Sequence, residues 1–181
     1  MLIKIIFLAV LILINGVFAA TEIAFLSLNK YELHKKIKEG NNKAVKILNL
    51  INDSSTFLST IQISITLSGF LASAFAAENF ASEIASMITI NGMSESTLIS
   101  ILIVLITIIL SYFTLVFGEL IPKKVGLIYS EKIAYGMVNT INVVIKAFKP
   151  FIIVLKSSGI SPSNNFSTLN KTIAYLPDSC P

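Results

Sequence analysis

Two carboxylates stand inside apolar sequence, where ionised groups are costly. Glu22 interrupts the run from Ile5 to Leu28, and Glu119 closes an uncharged stretch that begins at Ser96. A charge at the centre of a bilayer costs about 2.5–3.5 kcal/mol on insertion scales, so such groups mark sites or ion pairs. Pro122 follows Glu119 closely and has no N–H, so the carbonyl four residues before it loses its helical partner. That carbonyl belongs to Gly118, which has no side chain to shield it. In lipid, a free carbonyl has to be satisfied by protein, water or an ion. Gly118-Glu119-Leu120-Ile121-Pro122-Lys123 thus sets a bare carbonyl beside a carboxylate. Thr107, Ser111, Thr114 and Gly118 recur at helical spacing and give this segment one small, polar face. Carboxylate, carbonyl and hydroxyl oxygens suit hard cations such as Mg²⁺ or Ca²⁺. The competing reading is a proline kink in which Glu119 pairs with Lys123 or Lys124 at the interface.

On the first apolar run, Asn15, Ala19, Glu22 and Leu26 share one helical face, and Gly16, Ala20, Ile23 and Ser27 share the next. Small residues here allow close helix packing. Glu22 is either a cation ligand or a hydrogen-bonding group that ties this helix to the second span. The second reading is favoured, because no freed carbonyl lies near it. Counted from the lysine-bearing boundaries at 1.5 Å per residue, Glu22 lies about 10 Å deep and Glu119 about 6 Å deep. Ser59, Thr60, Gln62, Ser64, Thr66 and Ser68 occupy the matching half of the second apolar stretch. Any one of these hydroxyls more often bonds its own helix carbonyl, or glues helices, than binds a ligand.

The elements that must position these groups are membrane helices. Of the 181 residues, 54% are hydrophobic and 13% are charged. Soluble domains carry about 25% charged residues. An ordinary soluble domain, a disordered chain and a coiled coil are excluded. Spans are expected at about 3–28, 54–77 and 96–121. A fourth apolar stretch, 133–155, contains Lys146, Lys149 and Pro150 and reads as an interfacial or re-entrant helix rather than a full span. The fold class is an all-α integral membrane protein: three transmembrane helices, cytoplasmic juxtamembrane amphipathic helices and that fourth helix. The membrane domain covers 1–156, and 157–181, rich in Ser, Asn, Pro and Thr, reads as a poorly ordered tail.

All cations are lysines, with no Arg, which suits compositional bias better than a nucleic-acid surface. Lys30, Lys35, Lys36, Lys38, Lys43 and Lys46 crowd one loop, and others follow Pro122, whereas Glu78 to Glu95 has none. Cytoplasmic loops collect Lys and Arg, so the first loop and the C-terminus are expected inside and the N-terminus outside. Leu33, Ile37, Val45, Ile47, Leu48, Leu50 and Ile51 make the loop two amphipathic helices broken at Gly40-Asn41-Asn42. A signal peptide cleaved after Ala19 competes with the first span, but apolar residues continue past that point. The lone Cys180 excludes a disulfide within the chain and a Cys cage, and the lone His34 excludes a His-rich site. No phosphate loop or nucleophile–base pair is present, so an enzyme is not expected.

These residues resemble the CNNM/CorC transmembrane domain, whose members are often labelled hemolysin-like. The resemblance rests on the stretch Leu13 to Asn29, including Asn15-Gly16 and Thr21-Glu22. It also rests on Glu39-Gly40-Asn41 with Lys43-Ala44, on Phe57-Leu58-Ser59-Thr60-Ile61-Gln62, and on Gly118-Glu119-Leu120-Ile121-Pro122-Lys123. It runs from about residue 3 to 155. It implies a plasma-membrane domain of three spans and a cytoplasmic belt, assembled as a homodimer, that transports Mg²⁺ outward in exchange for sodium. The ion site it implies draws oxygens from all three spans. Glu119 and Gly118 carry over most directly, followed by Ser64 and Ser68, with Asn15, Glu22, Pro122 and Lys123 in structural or gating roles. Ala19 stands where the family often has Ser.

Family members usually continue into CBS domains that bind adenine nucleotides, and often into a CorC/HlyC domain. No nucleotide site is expected within this chain, and a separate cytoplasmic regulatory domain is a candidate partner. The runner-up function is a non-transporting membrane scaffold, or a truncated or degenerate relative. The lysine asymmetry gives a direct test of topology. In a Cys180→Ser background, Ser82→Cys is expected to react with an impermeant maleimide in intact cells, and labelling only after permeabilisation would reverse the assignment.

Overall fold

A computed structural model describes residues 2–88 and 94–157. Its elements are helices: α1 (Leu2–Leu26), α2 (Lys30–Lys38), α3 (Asn42–Asn52), α4 (Ser54–Ala85), α5 (Glu95–Leu115), a π-helical turn (Val116–Leu120), α6 (Ile121–Ile128) and α7 (Ser130–Ser157). Among the described residues there is no strand. The tail expected from residue 157 onward lies, past Ser157 itself, outside the described residues.

Four helical stretches are long and apolar enough to cross a membrane: Leu2–Leu26, Ser54–Ala85, Ser96–Ile128 and Ser130–Ile153. The first three correspond to the three expected spans: the first ends at Leu26, two residues short of the expected 28, and the other two run further. α4 continues past Glu78 to Ala85, because Asn79 to Ala85 contains no breaker and Ala81 and Ala85 pack against Leu98 and Leu102 of α5. Lys4 of α1 reaches the same end of α4, with its Nζ 3.1 Å from a Glu83 carboxylate oxygen. The third helical stretch does not stop at Pro122. The π turn absorbs the proline, and helix resumes through α6 to Ile128.

Short polar caps set the belt between α1 and α4. The Asn29 side chain accepts from the Tyr31 N–H, and that of Asn41 accepts from the Lys43 and Ala44 N–H groups. Gly40 adopts φ +84°, which closes α2 without a Cβ penalty. The apolar faces then meet in one cluster: Phe25, Leu33, Ile47, Phe57, Ile61, Val138 and Ile141 are all buried there. Phe25 stacks on Phe57 with centroids 4.9 Å apart. α7 thus joins the lysine belt through its first half. The Lys46 ammonium donates to Asn139 Oδ1 at 3.0 Å, that of Lys43 donates to the Tyr135 carbonyl at 3.2 Å, and Lys36 pairs with Glu131.

The tightest crossing is α1 on α6. A Cβ built on Gly126 would lie 2.3 Å from the Ala20 carbonyl oxygen, and one on Gly16 would lie 2.9 Å from Pro122 Cγ. Only glycine allows these backbones to approach so closely. The neighbour at Gly126 is backbone and cannot rotate away. Gly126→Ala is therefore expected to cost about 1–3 kcal/mol through overpacking. Gly136, on α7, has open space where its Cβ would be. Gly136→Ala should be neutral or stabilising by up to about 1 kcal/mol. Thermal melts of both variants in detergent check the contrast.

Candidate functional site

The site starts from the donor that Pro122 lacks. With no N–H at residue 122, the helix widens by one residue, and the Ile121 N–H bonds the Val116 carbonyl five residues back. Such π turns gather at functional sites. The Gly118 carbonyl, whose i+4 residue is the proline, accepts from Asn15 Nδ2 of α1 at 3.2 Å. Protein thus satisfies the carbonyl that the sequence marks as free, through a side chain of another helix. Gly118 is glycine for a further reason, since a Cβ there would lie 3.0 Å from Asn15 Nδ2.

Asn15 is 4% exposed, and its Oδ1 is buried without a partner. The same residue lines a cavity of about 440 Å³ with Glu119, Thr107, Ser111, Thr114, Ser73 and Gly69. The small, polar face read from the sequence of α5 is therefore one wall of this cavity. Ser111 Oγ donates its hydrogen to the Thr107 carbonyl at 2.7 Å, which leaves the hydroxyl lone pairs to act as acceptors.

Ser64 and Ser68 are buried on α4, and Ser64 Oγ donates to the Thr60 carbonyl at 2.8 Å. The cavity meets α4 instead at Gly69, Phe70 and Ser73, so Ser73 is the hydroxyl there that sequence reasoning missed. Ala19 is fully buried.

The two carboxylates meet through one lysine. Lys123 Nζ lies 2.6 Å from Glu119 Oε1 and 3.7 Å from Glu22 Oε2. The Glu119–Lys123 pair of the competing reading is therefore formed, and Glu119 also lines the cavity. Glu22 differs from its favoured expectation. Its ionic partner is Lys123 of α6, rather than a group on α4, because the close α1–α6 crossing sets Glu22 beside α6. Among the described residues no three His, Cys, Asp or Glu side chains gather as a metal cage. What the cavity offers is one carboxylate with neutral oxygens around it.

The accounting at Gly118 can be checked by a double substitution. Asn15→Ala leaves a buried carbonyl unpaired, at a cost of about 1–3 kcal/mol. In a Pro122→Ala background residue 122 regains an N–H that can bond the Gly118 carbonyl, so Asn15→Ala should cost markedly less. Equal losses of thermal stability in both backgrounds would contradict this coupling.

Comparison with known proteins places the chain in a family. Residues 5–161 match the family model described as the cyclin M (CNNM) transmembrane N-terminal domain. The UPF0053 protein sll0260 of Synechocystis sp. is 34% identical over 149 residues, which is 82% of this chain and 33% of the relative. The UPF0053 inner membrane protein YfjD of Escherichia coli is 30% identical over 122 residues, 67% of this chain and 25% of the relative. A protein of Haemophilus influenzae named polyamine export protein is 23% identical over 142 residues, 78% of this chain and 33% of the relative. The chain thus spans about a quarter to a third of the length of these curated relatives. With its membrane-length helices and this match along most of its length, the chain belongs to the CNNM transmembrane-domain family of membrane proteins.

Proposed function

We propose that this chain moves a divalent cation, Mg²⁺, outward across the plasma membrane in exchange for sodium. It works as a homodimer, with the N-terminus outside, the C-terminus in the cytoplasm and α7 lying along the cytoplasmic interface. The observation that carries this reading is the unpartnered Asn15 Oδ1, buried in a residue that shares a cavity with Glu119. A buried oxygen without a donor is costly unless something electropositive visits it. Mg²⁺ sheds its waters reluctantly and takes oxygen ligands, often from one or two carboxylates with water retained. In this scheme Glu119 supplies the charge, with neutral oxygens from the Gly118 carbonyl beside it and from Thr107, Ser111, Thr114 and Ser73. Ser64 and Ser68 act in this scheme through helix packing. A single carboxylate favours binding weak enough for release, as conduction requires. The contacts of α7 with Lys43, Lys46 and Lys36 support its interfacial placement.

A second reading has its own support. The Haemophilus influenzae relative is named for polyamine export. Thr107 and Glu119 are twelve residues apart, about 18 Å of helical rise, so the cavity is long enough for an extended ammonium chain.

Purified chain in liposomes loaded with a Mg²⁺-sensitive dye tests the proposal. External Mg²⁺ should change the dye signal with the parent, and Glu119→Gln should abolish the change while normal insertion and helicity are retained. Spermidine should compete weakly. No flux with the parent favours the non-transporting scaffold, and Glu119→Gln flux equal to the parent overturns the site. Spermidine uptake in place of Mg²⁺ flux selects the polyamine reading.

A further inference from the structure

Lys123 already occupies the carboxylate that a cation would use. We propose that Lys123 is a tethered counter-cation that an arriving cation displaces from Glu119 onto Glu22. Glu22 then sets the affinity of a site it does not line. This rests on Glu119 being the carboxylate that receives the cation.

The geometry is that of an exchange poised at one end. The Lys123 ammonium lies 2.6 Å from Glu119 and 3.7 Å from Glu22, so about 1 Å of movement converts one contact into the other. A lysine head is a compact charge on a flexible stem, suited to such a shift. A cation on Glu119 and an ammonium at hydrogen-bond distance from the same carboxylate repel strongly in a partly dehydrated site. Releasing the ammonium into apolar surroundings would be costly. Glu22 removes that cost, since its side chain is only 19% exposed and already points at Lys123.

The two partners of the ion pair line different spaces. Glu119 lines the first cavity, whereas Lys123 lines a second groove of about 640 Å³ with Ile23, Ser27 and Lys124. Ser27 lies beside the lysine-bearing belt, so this groove faces that side.

A double-mutant cycle tests the exchange, read as Mg²⁺ binding to the purified chain in detergent by isothermal calorimetry. Lys123→Met should tighten binding, and Glu22→Gln should weaken it about tenfold. In the Lys123→Met background, Glu22→Gln should have almost no effect. Simple through-space attraction of Mg²⁺ to Glu22 predicts the same weakening in both backgrounds, and that result would overturn the exchange, as would no effect of Glu22→Gln in the parent. A parent that does not bind Mg²⁺, or a Glu119→Gln variant that binds as the parent does, rejects the site itself and the exchange with it. A second measurement uses the unaltered protein, so misfolding of a variant has no bearing on it. Acetylation of Lys123, followed by mass spectrometry against Lys30 as internal reference, should speed up on adding Mg²⁺. An unchanged Lys123 rate overturns the displacement.

Discussion

Pro122 withdraws one hydrogen-bond donor from a helix in a medium that supplies none. The consequences spread from there. The helix widens to a π turn, the Ile121 N–H reaches back to Val116, and the Gly118 carbonyl turns to Asn15 on α1. Asn15 is then held by its amide nitrogen, which leaves its oxygen buried and unpaired. Three segments of chain are thus tied by a deficit in one backbone group. A straight helix with alanine at this position would satisfy itself and have no need of α1. The polar centre of the protein follows from that deficit, and so does its contact with the first helix.

Close packing makes the tie possible. Asn15 is short, so the amide reaches Gly118 only if the backbones come near. Gly16 against Pro122 and Gly126 against Ala20 bring them near, with no Cβ between. In lipid, apolar side chains gain little from leaving one hydrocarbon for another, so small residues and polar contacts decide which helices meet. The same approach carries Glu22 to Lys123. Steric and electrostatic parts of the site therefore share one cause, and a bulkier residue at 126 would disturb both.

Much of this was legible in the residues. Glu22, Glu119 and the Pro122–Gly118 relation stood out because ionised groups and missing donors are expensive in hydrocarbon, whatever surrounds them. The small, polar face of α5 was legible because Thr107, Ser111 and Thr114 follow helical spacing. The α4 contribution was not. That helix carries hydroxyls all around its circumference, from Ser59 through Ser73, so periodicity selects no face. Which hydroxyl meets the cavity depends on the rotation of α4, fixed by the packing of Phe57, Ile61 and Ala72. Gly126 was equally silent, since its role appears only once α1 lies across α6. The pairing of Glu22 with Lys123 depends on that same crossing.

The combination of one cavity carboxylate with one lysine between two carboxylates has a physical logic for the proposed transport. A cage of several carboxylates would hold a divalent cation firmly and release it slowly. A neutral cavity would not compensate for lost hydration. Between these limits, a carboxylate paired with an internal ammonium is never left bare, and an incoming ion exchanges one partner for another. Net charge then matters as much as ligand number. Glu22, Glu119 and Lys123 together carry one negative charge, so a monovalent cation neutralises the group and a divalent one leaves it positive by one. The two kinds of ion therefore leave the cluster in different electrostatic states, and in the proposed exchange the larger charge drives Lys123 further from the cavity. A transporter that must answer differently to two cations at one place needs a group that senses this difference, and an ammonium held between two carboxylates is such a group.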